Sequence, residues 1–176
     1  MRERTDEALM KAYANGNMEA FRLLYERHRG PLYRYVLRRV GDAATANDLY
    51  QGSWEKIIKA RGSYSASAPF QAWMYRIAHN HVIDYFRKSR PASELLPENM
   101  ASEGPGPDAA LTELKRSSDL HRAVDSLPFE QKDALLLKLE AGLDLQAIAE
   151  VTGVNPETAK SRLRYAVAKL KNILRE

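Results

Sequence analysis

Residues 144–174 constrain the fold of this chain most, because they predict two helices joined by a tight turn. Leu145 and Ile148 give the first helix an apolar face at helical spacing. Gly153 lies where the chain must reverse, and glycine adopts a positive φ without steric cost. Asn155 and Pro156 then start a second helix, with a capping side chain followed by a proline in the first helical position.

The second of these helices is predicted to have one buried and one basic side. The residues expected to be buried are Ala159, Leu163, Ala166, Val167 and Leu170, and those expected to be exposed are Lys160, Ser161, Arg164 and Lys171. A short helix, a glycine turn and a capped basic helix are typical of a helix-turn-helix. A plain helical hairpin with a solvated basic face also fits this segment.

Helical spacing of apolar residues continues through the rest of the chain with one interruption. It predicts helices over residues 6–15, 18–40, 43–60, 70–89, 111–127 and 129–140. Gly30 and Pro31 are expected to kink or break the second of these. Residues 91–110 are acidic and rich in proline, which predicts a flexible linker. The fold class is therefore all-α: a helical domain over 1–90, a linker over 91–112 and a helix-turn-helix domain over 113–176.

The charge of the chain is unevenly distributed. Residues 1–90 hold 16 Lys and Arg against 9 Asp and Glu, and residues 155–176 hold 6 against 2. Most of the six arginines between residues 22 and 39 are expected to form a solvated face. In the helix over 70–89, Tyr75, Arg76, Tyr85, Arg87 and Lys88 fall outside the apolar spacing. Aromatic and basic residues together suit a single-strand nucleic-acid platform, and a core helix with a basic end fits equally well.

Several classes of chemistry are excluded. The chain has no cysteine, so it has no disulfide and no thiolate site. His79 and His81 lie two residues apart on a predicted helix and cannot share a metal. No catalytic motif or phosphate-binding glycine loop is present, so we expect neither an enzyme nor a cofactor. Without a signal peptide or a membrane helix, the chain is expected in the cytoplasm, with no membrane insertion.

Four ordered blocks resemble the extracytoplasmic-function (ECF) sigma factors, the small initiation subunits of bacterial RNA polymerase. The blocks are AFRLLYERHRGPLYRYVLRRVGD at residues 20–42, DLYQGSW at 48–54, FQAWMYRIAHNHVIDYFRK at 70–88, and the segment 126–171 with its TAKSRL helix start. The resemblance covers nearly all of the chain outside the linker. It implies three partners: core RNA polymerase, promoter DNA and an anti-sigma factor.

The resemblance also implies where these partners bind. The helix that docks on the clamp helices of the polymerase's largest subunit would use Asp48, Leu49, Gln51 and Glu55. In this block Gly52 replaces the usual acid and Trp54 the usual phenylalanine. Recognition and melting of the −10 element would use Arg61, Ser63, Tyr64, Ser65, Arg76, Asn80, Arg87 and Lys88. Recognition of the −35 element would use Glu157, Thr158, Lys160, Ser161, Arg162, Arg164 and Tyr165.

Two other functions remain open at this point. A stand-alone helix-turn-helix regulator would explain residues 144–174 equally well, although it leaves the DLYQ and RIAHN blocks without a role. An all-helical protein-interaction module would bind no DNA. The sigma-factor interpretation predicts specific promoter binding only together with core polymerase, because the linked DNA readers gain from each other only when their spacing is fixed.

Overall fold

The computed structural model describes residues 4–89 and 112–175, and these form helices joined by short turns. The helices are α1 (Asp6–Ala14), α2 (Met18–Val40), α3 (Ala43–Lys59), α4 (Phe70–Lys88), α5 (Thr112–Asp125), α6 (Phe129–Leu139), α7 (Leu145–Thr152) and α8 (Pro156–Arg175). A single 3₁₀ turn, Arg61–Ser63, precedes α4. The predicted all-α fold is confirmed, and the predicted linker over 91–112 lies, except for Thr112, outside the described residues.

Polar side chains fix where the helices begin. The backbone N–H groups in the first turns of α1, α2, α3, α7 and α8 donate to the side chains of Thr5, Asn17, Asp42, Asp144 and Asn155. These caps satisfy donors that have no partner inside a helix. Gly153, at φ 74°, ends α7 in the left-handed region, as the predicted turn requires.

The α2 helix runs without a break through Pro31. Of the two outcomes predicted for Gly30 and Pro31, a break is therefore wrong. Leu24 before the proline and Leu32 after it are both fully buried in the same core. The apolar face of α2 packs in the core both before and after Pro31. This packing keeps the helix continuous although proline lacks a backbone N–H donor.

The two halves, residues 4–89 and 112–175, contribute to one continuous buried cluster. Phe70 and Met74 of α4 lie in it together with Leu136 of α6 and Ile148 of α7. Since α2 packs against α6 and α4 against α7, each half contributes to the burial of the other.

Expectations about burial are wrong for Tyr75 and Val167, and Arg39 is an exception to a third. Tyr75 is fully buried against Tyr35, with ring centroids 5.7 Å apart, and so forms no part of an exposed aromatic platform. Arg39 is buried as well, unlike the solvated face expected for most of these arginines. Val167 is 41% exposed, since the side of α8 that packs against the core is formed by Ala159 and Ala166, both fully buried, and by Leu163 and Leu170, both partly buried.

None of the helices in the described ranges combines the length and apolar character needed to cross a lipid bilayer.

Candidate DNA and polymerase interface

The α3 helix presents three of its four predicted docking residues to solvent. Asp48, Gln51 and Glu55 are exposed, at a spacing that places them on one side of the helix. Leu49 is only 7% exposed and belongs to the core, so it positions this face rather than forming part of it. Trp54 is buried too, and its ring centroid lies 5.0 Å from that of Tyr25. The replacement of phenylalanine by tryptophan at this position is thus accommodated inside the domain.

Gly52, in the same block, is explained by a side chain from a neighbouring helix. A Cβ atom built on Gly52 would overlap Nε2 of His81, which extends from α4. The imidazole therefore occupies the space where the usual acidic side chain would begin. Burial lowers the pKa of His81, and the charge of Lys56 lowers it further, so the neutral ring is favoured beside the exposed face of α3.

The predicted loop residues after α3 are held by short-range bonds. Arg61 donates to the backbone carbonyl of Ile58 at 2.7 Å, and Ser63 Oγ donates to Ala60 O at 2.8 Å. Tyr64 OH donates to Ala68 O at 2.6 Å. Burial, with a smaller contribution from the acids Glu7 and Asp6, raises the pKa of Tyr64 to about 12, so its hydroxyl keeps its proton and ties the loop closed. Ser65 is exposed at the tip of the loop.

Aromatic rings form the base of this loop. The Tyr64 ring lies edge-on to Trp73, with centroids 5.1 Å apart, and to Phe70 at 6.0 Å. Trp73 is only partly buried. The loop therefore packs on a cluster of aromatic rings, of which Trp73 is partly accessible. A surface of this kind can receive an unstacked base.

The α4 helix carries an exposed polar stripe. Arg76 and Asn80 are four residues apart and both exposed, and Arg87 continues the same side two turns later. Lys88 is exposed beside it, and Arg87 pairs loosely with Asp84 at 3.4 Å. Arg76 Nη1 donates to the backbone carbonyl of Glu150 in α7, at 3.0 Å. One predicted DNA contact is thus engaged by the other half of the chain.

The start of α8 is fixed by its cap and open to solvent. Asn155 Oδ1 accepts from the Thr158 N–H at 2.8 Å. Beyond the cap, Glu157, Lys160, Arg164 and Tyr165 are exposed, and the other predicted residues, Thr158, Ser161 and Arg162, are partly exposed. The Arg164 guanidinium lies 5.7 Å from the centre of the Tyr165 ring.

A groove of about 350 Å³ runs between this helix start and the first turn of α6. Glu157, Thr158, Ser161, Arg162 and Tyr165 line one side of it, and Pro128, Glu130, Gln131 and Asn155 complete its walls. The groove brings together five of the seven predicted −35 residues. Lys160 and Arg164 lie outside it on the same helix.

One cluster was missed by the sequence analysis. The carboxylate of Asp133 in α6 accepts hydrogen bonds from Tyr35 OH and Arg39 Nη1, both at 2.8 Å to Oδ1. His79 Nε2 lies 2.6 Å from Oδ2. Burial alone raises the pKa of Asp133, but the Arg39 charge and the His79 hydrogen bond outweigh it and hold the pKa below its ordinary value. Asp133 is therefore a buried carboxylate whose named partners all belong to residues 4–89.

A signal for this cluster was present in the sequence. Arg39 follows Leu32, Tyr35 and Val36 at the spacing of one buried helix face, and all three are fully buried. The same spacing relates Asp133 to Leu136 and Leu137 on α6. A charged residue at a buried position of one helix requires an opposite charge close to it. Here Arg39 of α2 and Asp133 of α6 balance each other's charge.

Family models match both halves of the chain. The model described as Sigma-70 region 2 matches residues 24–91, and the one described as Sigma-70, region 4 matches residues 117–170. The chain is 30% identical over 146 residues to the RNA polymerase sigma factor SigV of Bacillus subtilis, covering 83% of this chain and 85% of SigV. It is 32% identical over 165 residues to the ECF RNA polymerase sigma factor BldN of Streptomyces coelicolor, covering 90% of this chain but only 62% of BldN.

Solved structures share the fold. The structure of CnrH in complex with the cytosolic domain of CnrY matches with a TM-score of 0.72 and 24% identity, covering 96% of each chain. The sigma factor RpoE of Bartonella quintana, in complex with the anti-sigma factor NepR, matches with a TM-score of 0.69 and 19% identity, covering 88% of this chain and 96% of that one.

Proposed function

The chain belongs to the ECF RNA polymerase sigma factors, and from this membership we propose that three exposed surfaces divide the work of initiation. The α3 face docks on core RNA polymerase, the loop and exposed side of α4 bind and melt the −10 element, and the start of α8 reads the −35 element. Membership sets aside the two other functions that the sequence left open. The exposed stripe of Arg76, Asn80 and Arg87 on α4 is the observation that carries the proposal, because neither alternative gives it a role.

Exposure and charge support the docking assignment. Asp48, Gln51 and Glu55 offer two carboxylates and an amide on a helix whose opposite side is anchored in the core. A rigid polar face of this kind suits a preformed protein interface, since the helix loses little freedom on binding. The imidazole of His81 lies beside this face and takes the space of a side chain at position 52, where the resemblance implies an acid, so this face would present one negative charge fewer to the polymerase.

The −10 assignment rests on the loop and the stripe together. A base of the −10 element can be read only after it has left the base stack of the duplex. Moving it out costs a few kcal/mol, which a preformed pocket must offset. The aromatic cluster beneath Tyr64 supplies such a surface, and Asn80 supplies an amide able to pair with a base edge. Arg87 and Lys88, about two turns further along α4, would bind backbone phosphates.

The −35 assignment rests on the helix start. The capped N-terminus of α8 can enter the major groove, where each base pair presents its own pattern of donors and acceptors. Lys160 and Arg164 are long, exposed and one helical turn apart. Arg162 lines the groove beside α6, and we assign it a phosphate contact rather than a base edge.

The cellular location of the protein and its regulation follow from the same family membership. A subunit of RNA polymerase acts in the cytoplasm, where the polymerase is. In solved structures that share this fold, CnrH is in complex with the cytosolic domain of CnrY and RpoE with the anti-sigma factor NepR, and we propose that an anti-sigma factor likewise binds this chain.

Reconstituted transcription tests the proposal. Core polymerase with this protein should open and transcribe a subset of promoters in a genomic library, whereas the protein alone should open none. Asn80→Ala should reduce opening while leaving the affinity for core polymerase unchanged. If core polymerase with the wild-type protein starts no transcript from the library, the proposal fails.

A second experiment separates base reading from phosphate binding on α8. Arg164→Ala should weaken −35 recognition by about 1–3 kcal/mol and relax the promoter preference. Lys169→Ala, an exposed cation nearer the other end of the same helix, is the matched control and should leave the preference unchanged. An equal loss for both variants, with unchanged preference, would show that α8 binds phosphate only.

A further inference from the structure

The two halves of the chain are joined by charged contacts that the reading of a promoter does not need. Besides the Asp133 cluster, Arg34 Nε pairs with Glu140 Oε1 at 3.1 Å and Arg38 Nη2 with Asp125 Oδ1 at 3.4 Å. In each pair the cation lies on α2 and the acid belongs to the C-terminal half. A row of cations on one half therefore faces acids on the other.

Aromatic rings close the same interface around Arg39. Phe86 of α4 and Phe129 of α6 meet edge to face, with centroids 5.4 Å apart. The Arg39 guanidinium lies 4.9 Å from the centre of the Phe129 ring and 5.6 Å from that of Phe86. An ion pair enclosed in this way is shielded from water and salt, so its strength is retained at physiological ionic strength.

This arrangement brings two DNA readers into direct contact. Arg76 of the −10 stripe donates to Glu150 of α7, the first helix of the helix-turn-helix, at 3.0 Å. The two elements are named for positions about 25 base pairs apart, which is roughly 85 Å of duplex at 3.4 Å per base pair. Helices that touch each other cannot lie at two places this far apart.

We propose that the free protein closes on itself through Asp133 and must open before it can read a promoter. The closed form is an autoinhibited state in which Arg39, Tyr35 and His79 hold the C-terminal half against Arg76, at one end of the −10 stripe. The effect of closure on promoter reading rests on the proposed function, but closure itself is a property of the chain alone. Polymerase binds the two halves separately and selects the open form.

Incomplete pairing within the cluster makes such a contact reversible. Arg39 Nη2 and His79 Nδ1 are buried without a hydrogen-bond partner among the described residues. Both groups would gain water when the halves separate, which offsets part of the loss of the ion pair. A fully satisfied network would favour the closed form more strongly.

Distance measurement tests closure without polymerase or DNA. The chain has no native cysteine, so spin labels can be attached through Lys59→Cys on α3 and Lys169→Cys on α8, two exposed positions. The free protein should give one narrow distance distribution. Asp133→Asn removes the negative charge that balances Arg39 in the closed form and should give a longer, broader one. A broad distribution in the parent protein, unchanged by Asp133→Asn, would overturn the proposal.

Binding to core polymerase tests the consequence. Closure reduces the apparent affinity by the fraction of molecules that are open, so Asp133→Asn should bind core polymerase at least ~10-fold more tightly. Glu130→Gln, an exposed acid in the first turn of the same helix, is the matched control and should change neither distance nor affinity. If Asp133→Asn opens the chain but binds core no more tightly, autoinhibition is wrong.

A second variant covers the case in which Asp133→Asn does not fold. Glu140→Arg places a like charge opposite Arg34 near the edge of the interface, and should open the chain in the same direction to a smaller extent. If neither the parent protein nor any variant binds core polymerase, the proposed function fails, and the distance measurement still decides whether the free chain is closed.

Discussion

Nε2 of His81 occupies the space in which a side chain at position 52 would begin. The contact joins α4 to α3 directly beside Gln51, on the face assigned to polymerase docking. It explains why the middle of a helix tolerates a glycine there, and it predicts that positions 52 and 81 depend on each other.

A double-mutant cycle measures this dependence. Alanine is favoured over glycine in a helix interior by about 1 kcal/mol. Gly52→Ala should therefore stabilise the His81→Ala variant by about that amount. In the wild-type background the new methyl group displaces the imidazole, so the gain should be smaller by at least ~0.5 kcal/mol. Urea unfolding of the four proteins gives the coupling, and additive effects would show that the ring moves away freely.

The titration of His81 gives a second prediction. Burial first, and then the charge of Lys56, lower the pKa of His81 below its ordinary value of 6.5. The folded protein then binds fewer protons than the unfolded chain just below pH 6.5, so the free energy of unfolding should fall on acidification through this window.

Ring resonances followed by NMR report the pKa of His81 directly. Gly52→Ala should raise it, because the displaced ring returns to solvent, and Lys56→Gln should raise it less, since burial is the larger cause. A wild-type pKa at the ordinary value, unaffected by either change, would be incompatible with the packed ring.

Asp6 gives a prediction about the stability of the N-terminal half. Its carboxylate accepts from Arg27 Nη1 at 2.8 Å and pairs with His28 Nε2 at 2.9 Å, and its side chain is 19% exposed. Asp6→Asn should lower the free energy of unfolding by about 1–2 kcal/mol, the strength of charge-assisted hydrogen bonds reduced for partial exposure. Thermal and urea unfolding at neutral pH measure the loss.

The effect should vanish in acid. Burial alone raises the pKa of Asp6, but the hydrogen bonds from His28 and Arg27 outweigh it and keep the pKa below its ordinary value. Its contribution is therefore complete above about pH 4 and is lost as the pH falls through the lowered pKa. Glu19→Gln removes the exposed pair with Arg22 and is the matched control, expected to change stability little at either pH. Equal losses for both variants would contradict the assignment.

Much of this fold follows from local sequence signals, because they act over a few residues. Asn155 and Gly153 fix the start of α8 and the end of α7 through caps that need no distant partner. Pro31 shows where local rules stop, since the buried leucines on both sides of it decide that α2 continues. Tyr75 is a similar case: its place in the core depends on Tyr35, forty residues earlier.

The contact between the halves depends on residues that are far apart in the chain. Asp133 lies 94 residues from Arg39 and 54 from His79, and no local pattern links these positions. Helical spacing places Arg39 and Asp133 on buried faces, but it does not tell which face meets which. The candidate surfaces on α3, α4 and α8 could be assigned because the blocks that carry the resemblance lie on single helices.

The docking face gives the last prediction, which separates a binding residue from a supporting one. Gln51→Ala and Asp48→Ala should weaken binding to core polymerase without changing the free energy of unfolding, because both side chains are exposed. Leu49→Ala should instead lower the free energy of unfolding by about 2–5 kcal/mol, since it leaves a cavity in the core. Its affinity for core, measured under conditions where it is folded, should stay close to that of the wild type. A loss of affinity in folded Leu49→Ala as large as in Gln51→Ala would show that this leucine reaches the polymerase after all.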